Sequence, residues 1–500
     1  MRKVIIVGGG SAGWMSAAFL SKTLGKSIDI TLVESDAIAP VGVGEATIPP
    51  IQLFNKLLNI SEPEFMAATQ ATFKLGIQFE NWGSAGEQYM HAFGPTGTQL
   101  GLTPFIHYWL RSRKSGVTTA LNTYSFNAQA ALNNKFKHGV KPTAPGNPTL
   151  AYAFHFDATA YANLLRQISV QQGVTRKVGT ICDVVKNNES GDIEQLKLDD
   201  GSALTGDLFI DCSGQRSLLL GDALEAKFEC WQHWLPCDRA IAIQSDAKIS
   251  APYTRAIAHD GGWQWQIPLQ NRTGNGIVYS SAHSSDEDAL LTLSNNLPGQ
   301  AITQPNKIIF KVGRYKEQWK NNCIAIGLAS GFLEPLESTS LHMVQSSLVR
   351  LVKLFPQAKI AQSTINAFNR QATIEAESIR DFIILHYYQN QKSNLPLWQQ
   401  CRRMSLPASL EERLIAFKET AHLSRVNDEL FDENAWSQVL IGQGLIPDNY
   451  HPIADHMPQM QLDQFLRSLA SQTEKYSETL PDHAIYVNNY TNNTEVKHYA

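Results

Sequence analysis

The sequence predicts an α/β fold: a Rossmann-like dinucleotide-binding domain with an inserted antiparallel sheet and a mostly helical C-terminal region. Three observations carry this. The amino terminus reads as strand, glycine-rich turn, helix and strand. A middle stretch, about residues 240 to 313, alternates short apolar and polar segments between glycine turns. After Ser340, apolar residues recur at spacings near three and four.

In chain order, Lys3 to Val7 is a short buried strand, Ala12 to Leu24 a helix, and Ile28 to Val33 a second strand ending at Glu34. The turn between the first two carries Gly8, Gly10 and Gly13 in the spacing G-x-G-x-x-G. Glycines there permit a tight turn and close approach to a pyrophosphate, with Ser11 and Ala12 opening a helix whose amino terminus faces the phosphates. Glu34 lies 21 residues past Gly13, where a carboxylate can accept hydrogen bonds from a ribose diol. Taken alone, this spacing fits NAD and FAD alike. Two later apolar strands, Leu208 to Gly214 and Cys323 to Gly327, end in small residues and are expected to return to the same sheet. The domains are therefore discontinuous: 1–90, 150–235 and 305–350 for the dinucleotide, 91–149 and 236–304 as substrate-side insertions, and 351–500 as a helical cover. Pro447, Pro452 and Pro458 break the later helices, and Asn488 to Asn493 reads as a polar, loosely held tail.

Composition narrows the function. Across 500 residues, 42 basic minus 46 acidic side chains leaves a net charge of -4 without charged blocks, which argues against nucleic acid or an anionic membrane as partner. The apolar run after Lys3 stops at Gly8, and no stretch approaches the roughly 20 apolar residues of a membrane helix. Six cysteines show neither C-x-x-C pairing nor metal-ligand spacing, so buried thiols in a reducing, cytoplasmic setting and no metal are expected. A small molecule is the expected partner.

Five further segments give the chemistry. They are Gly42-Val43-Gly44-Glu45-Ala46-Thr47-Ile48-Pro49, Phe73-Lys74-Leu75-Gly76-Ile77 through Trp82, His91-Ala92-Phe93-Gly94, Trp263-Gln264-Trp265-Gln266-Ile267-Pro268 and Glu334-Pro335-Leu336-Glu337-Ser338-Thr339. With the glycine-rich amino terminus they resemble the flavin-dependent halogenases, the tryptophan halogenase group in particular, over nearly the whole chain.

That resemblance implies FAD, lined by Gly44, Glu45, Ala46 and Thr47 and by the Gly327-Leu328 turn. No second glycine fingerprint for a nicotinamide is evident, so FAD arrives already reduced by a separate flavin reductase. Reduced FAD, dioxygen and halide, chloride or bromide, then give a hypohalous acid equivalent. The resemblance makes Lys74 the group that carries or polarises this oxidant. An ammonium can hydrogen-bond it, and an amine neutralised by burial can form a haloamine. Glu337 orients the oxidant or takes the proton released by electrophilic aromatic substitution, and backbone at Ser338 and Thr339 places halide.

As a strand, the Trp263-to-Pro268 segment points two indoles and Ile267 to one face, and the resemblance makes Trp263, Trp265, Ile267 and Pro268 an apolar tunnel wall. By the same resemblance, His91 and Phe93 are expected to sandwich a flat, electron-rich ring. The segment from Trp436 to Gly442 lacks the Tyr-Tyr pair with which tryptophan-specific members hold the free amino acid. An indole-type compound is therefore the expected substrate, with Trp436 a stacking partner. Two alternatives share the scaffold: an aromatic monooxygenase, and a non-catalytic flavin-binding protein. A homodimer is one assembly open to the chain.

Overall fold

A parallel sheet built from distant parts of the chain organises the amino-terminal residues. The structure is a computed structural model and describes residues 3–35, 44–139, 149–392, 394–425 and 429–492. The chain divides into two units, one of Met1–Ala71, Phe156–His233 and Ile309–Glu377, the other of Thr72–His155, Trp234–Ile308 and Ser378–Ala500.

In the first unit, six strands lie in the order Trp319–Lys320, Cys323–Ala325, Leu208–Asp211, Lys3–Val7, Asp29–Glu34 and Thr175–Val178. All neighbours are parallel except the first pair. The two returning strands expected from sequence thus take their places beside the amino-terminal strand. Val4, Ile6, Leu32, Leu208 and Ile210 are fully buried, as the near-continuous apolar runs of a sheet covered on both faces require. The helix Ser11–Leu24 packs on Ala158–Gln171 and Ser340–Lys353. A small antiparallel sheet, Ile181–Lys186, Ile193–Leu198 and Ala203–Thr205, shares one apolar cluster with Ile5, Val7, Val33 and Phe209 of the parallel sheet.

The second unit is built on a seven-stranded sheet in the order Asn306–Ile309, Arg239–Ser245, Thr273–Tyr279, Gly262–Pro268, Thr254–His259, Gly76–Glu80 and Gln88–Ala92. The middle strands are antiparallel, as their alternation suggests. One junction is parallel, Thr254–His259 against Gly76–Glu80 in the register Thr254↔Ile77. Through it residues from the 72–90 segment join this sheet.

The C-terminal residues are helical. Pro452 opens a 3₁₀ turn, and Pro458 stands at the amino end of the helix Gln459–Glu478. The expected loose tail is corrected: His483–Asn492 is a helix, while Asn493 lies outside the described residues. His483, Tyr486, Val487 and Tyr490 fall on one face of it, and Tyr486 and Tyr490 stand 6.1 and 6.0 Å from the Phe73 ring. The asparagines between them sit on the solvent side and conceal this stripe.

The cysteine expectation is also corrected in part, since Cys182 and Cys230 are exposed while the other four are buried. Among the described residues no helix is long and apolar enough to cross a membrane, and no group of three or more His, Cys, Asp or Glu could hold a metal ion.

Candidate active site

The dinucleotide fingerprint can be judged by what a side chain would meet at each glycine. A Cβ at Gly8, whose φ is +114°, would stand 2.2 Å from the carbonyl oxygen of Cys212, and one at Gly13 would stand 1.9 Å from that of Gly8. These two glycines are required by the fold itself. At Gly10 a Cβ would meet nothing within 4 Å. Gly10 is the N-cap of the helix Ser11–Leu24 and gives it no side-chain cap, so the first-turn N–H groups face open space. The Ser11 hydroxyl donates to the carbonyl of Ala158.

Glu34 lies beside this opening. One carboxylate oxygen accepts from Trp14 Nε1 at 3.3 Å and the other is paired with Arg176. The first sits where a Cβ of Gly9 would be. Gly327, with φ +71°, comes so close to Ala12 that an added Cβ would be 2.8 Å from the alanine methyl. Leu328 beside it is 38% exposed. Gly44, Glu45 and Ala46 form a short strand and Thr47 is buried; Gly42 and Val43 lie outside the described residues. An uncapped helix end, room over Gly10 and a carboxylate at the end of the second strand together fit a dinucleotide.

In the same unit, Pro335 begins a 3₁₀ turn that ends at Glu337. Ser338 then takes the left-handed conformation, φ +59°, which is costly for a residue with a Cβ. Glu337, Ser338 and Thr339 are all buried. Thr339 is the N-cap of Ser340–Lys353, yet its side chain makes no capping hydrogen bond.

In the second unit, Lys74 ends the strand Thr72–Lys74, paired antiparallel with Ala153–Asp157, and is 0% exposed. Its Nζ stands 5.5 Å from the centre of the Phe93 ring. The chain beyond it is fastened by Leu75, whose N–H donates to Pro252 and whose carbonyl accepts from Phe93. Gly76 and Ile77 then pair with Ala92 and His91. A side chain at Gly76 would strike the carbonyl of His91 at 2.5 Å, so glycine allows this approach. The structure thereby brings Lys74, His91 and Phe93 together.

Trp436 joins the same aromatic group through residues the sequence did not single out. The Phe382 and Phe431 rings stack at 3.9 Å; His91 lies 5.5 Å from Phe382 and 6.2 Å from Phe431, and Trp436 meets Phe382 edge-on at 4.8 Å. Gln438 and Asn434 hold the helix Glu433–Gly442 in place. The Gln438 amide accepts from the N–H of Ala92 and donates to its carbonyl, at 2.9 and 3.1 Å. Asn434 accepts from Thr96 N–H and donates to the Gly94 carbonyl. Ala92 and Gly94 are thereby tied to the helix that carries Trp436. Arg413 lies over Trp436 at 4.3 Å and binds both oxygens of Glu429.

Trp263, Trp265, Ile267 and Pro268 lie on a strand buried along its whole length. Trp265 covers Gly276, where a Cβ would be 2.0 Å from the indole, and Trp263 packs at 6.2 Å from Trp82. The intervening Gln264 and Gln266 are buried as well, both donating to the carbonyl of Asn296.

Two histidines flank the Lys74 strand. His155 contacts the hydroxyls of Thr72 and Thr254 at 3.2 and 2.9 Å. Burial first, then the charge of Lys74 and then His483, hold its pKa well below the ordinary value. His483 Nε2 accepts from the N–H of Phe73 at 3.2 Å while Nδ1 donates to the Ser250 carbonyl at 2.6 Å. Burial lowers its pKa to about 4 against opposing effects of Ser250 and Asp482.

Known proteins resemble the chain over nearly its full length. The family model described as tryptophan halogenase matches residues 3–459. Tryptophan 7-halogenase RebH of Lentzea aerocolonigenes is 34% identical over 96% of this chain and 97% of its own. Among solved structures, Xcc4156, a flavin-dependent halogenase from Xanthomonas campestris, superposes with a TM-score of 0.95 at 45% identity, covering 98% of both chains. BrvH, a flavin-dependent halogenase from Brevundimonas sp. BAL3, gives 0.93 at 40% identity, covering 98% of this chain and 99% of its own.

Proposed function

The chain belongs to the tryptophan halogenase family, and from that premise we propose that it halogenates an indole-type ring by electrophilic substitution, using reduced FAD, dioxygen and halide. The observation that carries this reading is Lys74: a lysine with no exposed surface whose amine sits against Phe93 on a segment hydrogen-bonded along its length to the His91-to-Phe93 strand.

When bound at the glycine turn, reduced FAD would, with dioxygen and halide, supply hypohalous acid as the oxidant. Gly8, Gly10, Ser11, Ala12 and Gly13 would hold its pyrophosphate and Glu34 its ribose. Gly44 to Thr47 and Gly327-Leu328 would line its other parts. At Ser338 and Thr339, a helix end without a side-chain cap, the Thr339 backbone N–H would face halide, while that of Ser338 is donated to the Pro335 carbonyl.

Lys74 holds the oxidant by hydrogen bonding, and its enclosure keeps water away from the halogen. Glu337 accepts the proton from the substituted carbon; because that cationic ring is a strong acid, an ordinary carboxylate suffices. His91 and Phe93, with Phe382, Phe431 and Trp436 beyond them, offer ring surfaces to a flat substrate. Trp263, Trp265, Ile267 and Pro268 keep that substrate away from the flavin.

Substrate class follows from what surrounds Trp436. A free amino acid brings two charges that need partners once out of water. The cation that lies over that indole, Arg413, is already engaged by Glu429 on both carboxylate oxygens. This supports indole or an indole-bearing compound over free tryptophan. Reduced FAD comes from a separate reductase sharing the cytoplasm.

The test incubates the chain with a flavin reductase, FAD, NADH, bromide and indole and examines products by mass spectrometry. The expected product is a monobromoindole with its paired isotope peaks. Indole gaining only oxygen would instead make the protein a monooxygenase, and flavin oxidation without any altered organic compound would make it a flavin-binding protein.

A further inference from the structure

Lys74 ends a strand of three residues, held by three cross-strand partners. So short a strand fixes its own register weakly, and a lysine side chain adds four flexible torsions. Something must hold the backbone if an amine at its end is to meet a reacting atom within a fraction of an ångström.

The structure contains such a hold in a chain of hydrogen bonds whose direction is fixed. The Thr72 hydroxyl donates to the carbonyl of Pro268 at 2.7 Å. Its single proton is thereby committed, so in the 3.2 Å contact with His155 the imidazole Nδ1–H is the donor. Nε2 of a neutral ring is then the acceptor for the Thr254 hydroxyl at 2.9 Å. The order is Thr254 to His155 to Thr72 to Pro268.

Thr72, His155, Thr254 and Pro268 are all buried. Thr254 begins one strand of the seven-stranded sheet, and Pro268 ends the Trp-x-Trp-x-Ile-Pro strand beside it. Thr72, the direct cross-strand partner of His155, lies two residues before Lys74.

We propose that His155 is a positioning residue for Lys74: through Thr72 it ties the short lysine strand to the end of the Trp-x-Trp-x-Ile-Pro strand and so sets where the amine stands. The proposal rests on the reading of Lys74 as the catalytic amine. The arrangement requires a neutral ring, which burial and the nearby Lys74 charge favour. It also explains why a histidine serves: one side chain must donate on one edge and accept on the other while filling a site with no exposed surface.

Three variants test it. Thr72→Val keeps the shape and removes the hydroxyl, Thr72→Ser keeps the hydroxyl, and His155→Phe keeps a ring without either nitrogen. The yield of halogenated indole per reduced FAD consumed should fall about tenfold or more in Thr72→Val and His155→Phe. FAD affinity and the KM for indole should stay within about twofold. Thr72→Ser should restore most of the yield. Amide exchange at Leu75 and Phe93, whose hydrogen bonds fasten the segment after Lys74, should quicken in the same two impaired variants.

Parental yield in both Thr72→Val and His155→Phe, or Thr72→Ser as impaired as Thr72→Val, would overturn the assignment. If His155→Phe does not fold, the two threonine variants decide alone. A parent chain that halogenates nothing removes the functional reading; the exchange measurement still decides whether His155 holds the lysine strand.

Discussion

Acidification should destabilise this protein through His483, by an amount that can be worked out. The Ser250 carbonyl can only accept and the Phe73 amide can only donate, so the ring between them is held in the neutral Nδ1–H form. A second proton would put N–H against N–H, and burial adds to the cost. The folded pKa is accordingly about 4, against 6.5 in the unfolded chain. Because the folded value is the lower one, the unfolded chain takes up its proton first. The stabilisation is complete above pH 6.5 and is lost as pH falls towards 4. Between about pH 7 and about pH 4.5 this one group costs about 2–3 kcal/mol, a sizeable part of the 5–15 kcal/mol typical of folded proteins. Urea unfolding followed by tryptophan fluorescence at both pH values, for the parent and for His483→Gln, measures it. Glutamine can donate and accept but cannot charge, so the parent should lose about 2–3 kcal/mol more than the variant on acidification. Equal losses in the two proteins would refute the argument from tautomer and burial.

Other predictions follow from the geometry. His107, whose Nδ1 accepts from the N–H of His451, is lowered to about 4 by burial and then by His451 and His422, so His107→Gln should remove a second acid-sensitive term from the same unfolding curves. Gly13→Ala should lower the thermal midpoint and abolish FAD binding, while Gly10→Ala should leave the midpoint unchanged and weaken only FAD affinity, as read by flavin fluorescence. Equal effects of the two would contradict the cradle described above. Gln438→Leu leaves the buried N–H and carbonyl of Ala92 without their partner and should cost roughly 2–4 kcal/mol; an unaltered thermal midpoint would refute this. Lys74→Met keeps the stem against Phe93 and removes the amine, so halogenation should drop roughly a thousandfold with FAD affinity intact.

What could be read from the sequence was set by how local the controlling interaction is. The first βαβ unit was legible almost to the residue, because its apolar runs and glycines report on contacts within about 30 positions. The return of Leu208–Asp211 and Cys323–Ala325 to that sheet was also legible, since strands buried on both faces are apolar throughout. The parallel junction between Thr254–His259 and Gly76–Glu80 was not, because alternation marks a strand's faces and does not name a partner from a distant part of the chain. The C-terminal helix was misread as a loose tail. Its last five residues include three asparagines, while its packing depends on Tyr486, Val487 and Tyr490 at helical spacing.

The same distinction separates the candidate site into side chains that act and side chains that hold. On the proposed function Lys74, His91, Phe93 and Trp436 are the acting groups, and they belong to segments that can be recognised because such groups carry the chemistry. Gln438, Asn434, His155 and Thr72 belong to no motif, for a physical reason: their partners are largely backbone groups far away in the chain. Gln438 reaches Ala92 across 346 positions, and Thr72 reaches Pro268 across 196. A backbone N–H or carbonyl is present at every residue, so such a bond leaves no matching residue type to find on the other side. Yet these bonds decide the geometry. The fork from Gln438 falls on Ala92, between His91 and Phe93, and the hydroxyl of Thr72 fixes the strand that ends in Lys74. Relatives that keep the acting residues and change the holding ones would present the same functional groups at altered distances. Selectivity for ring and position would then change without any change in the residues that touch the substrate.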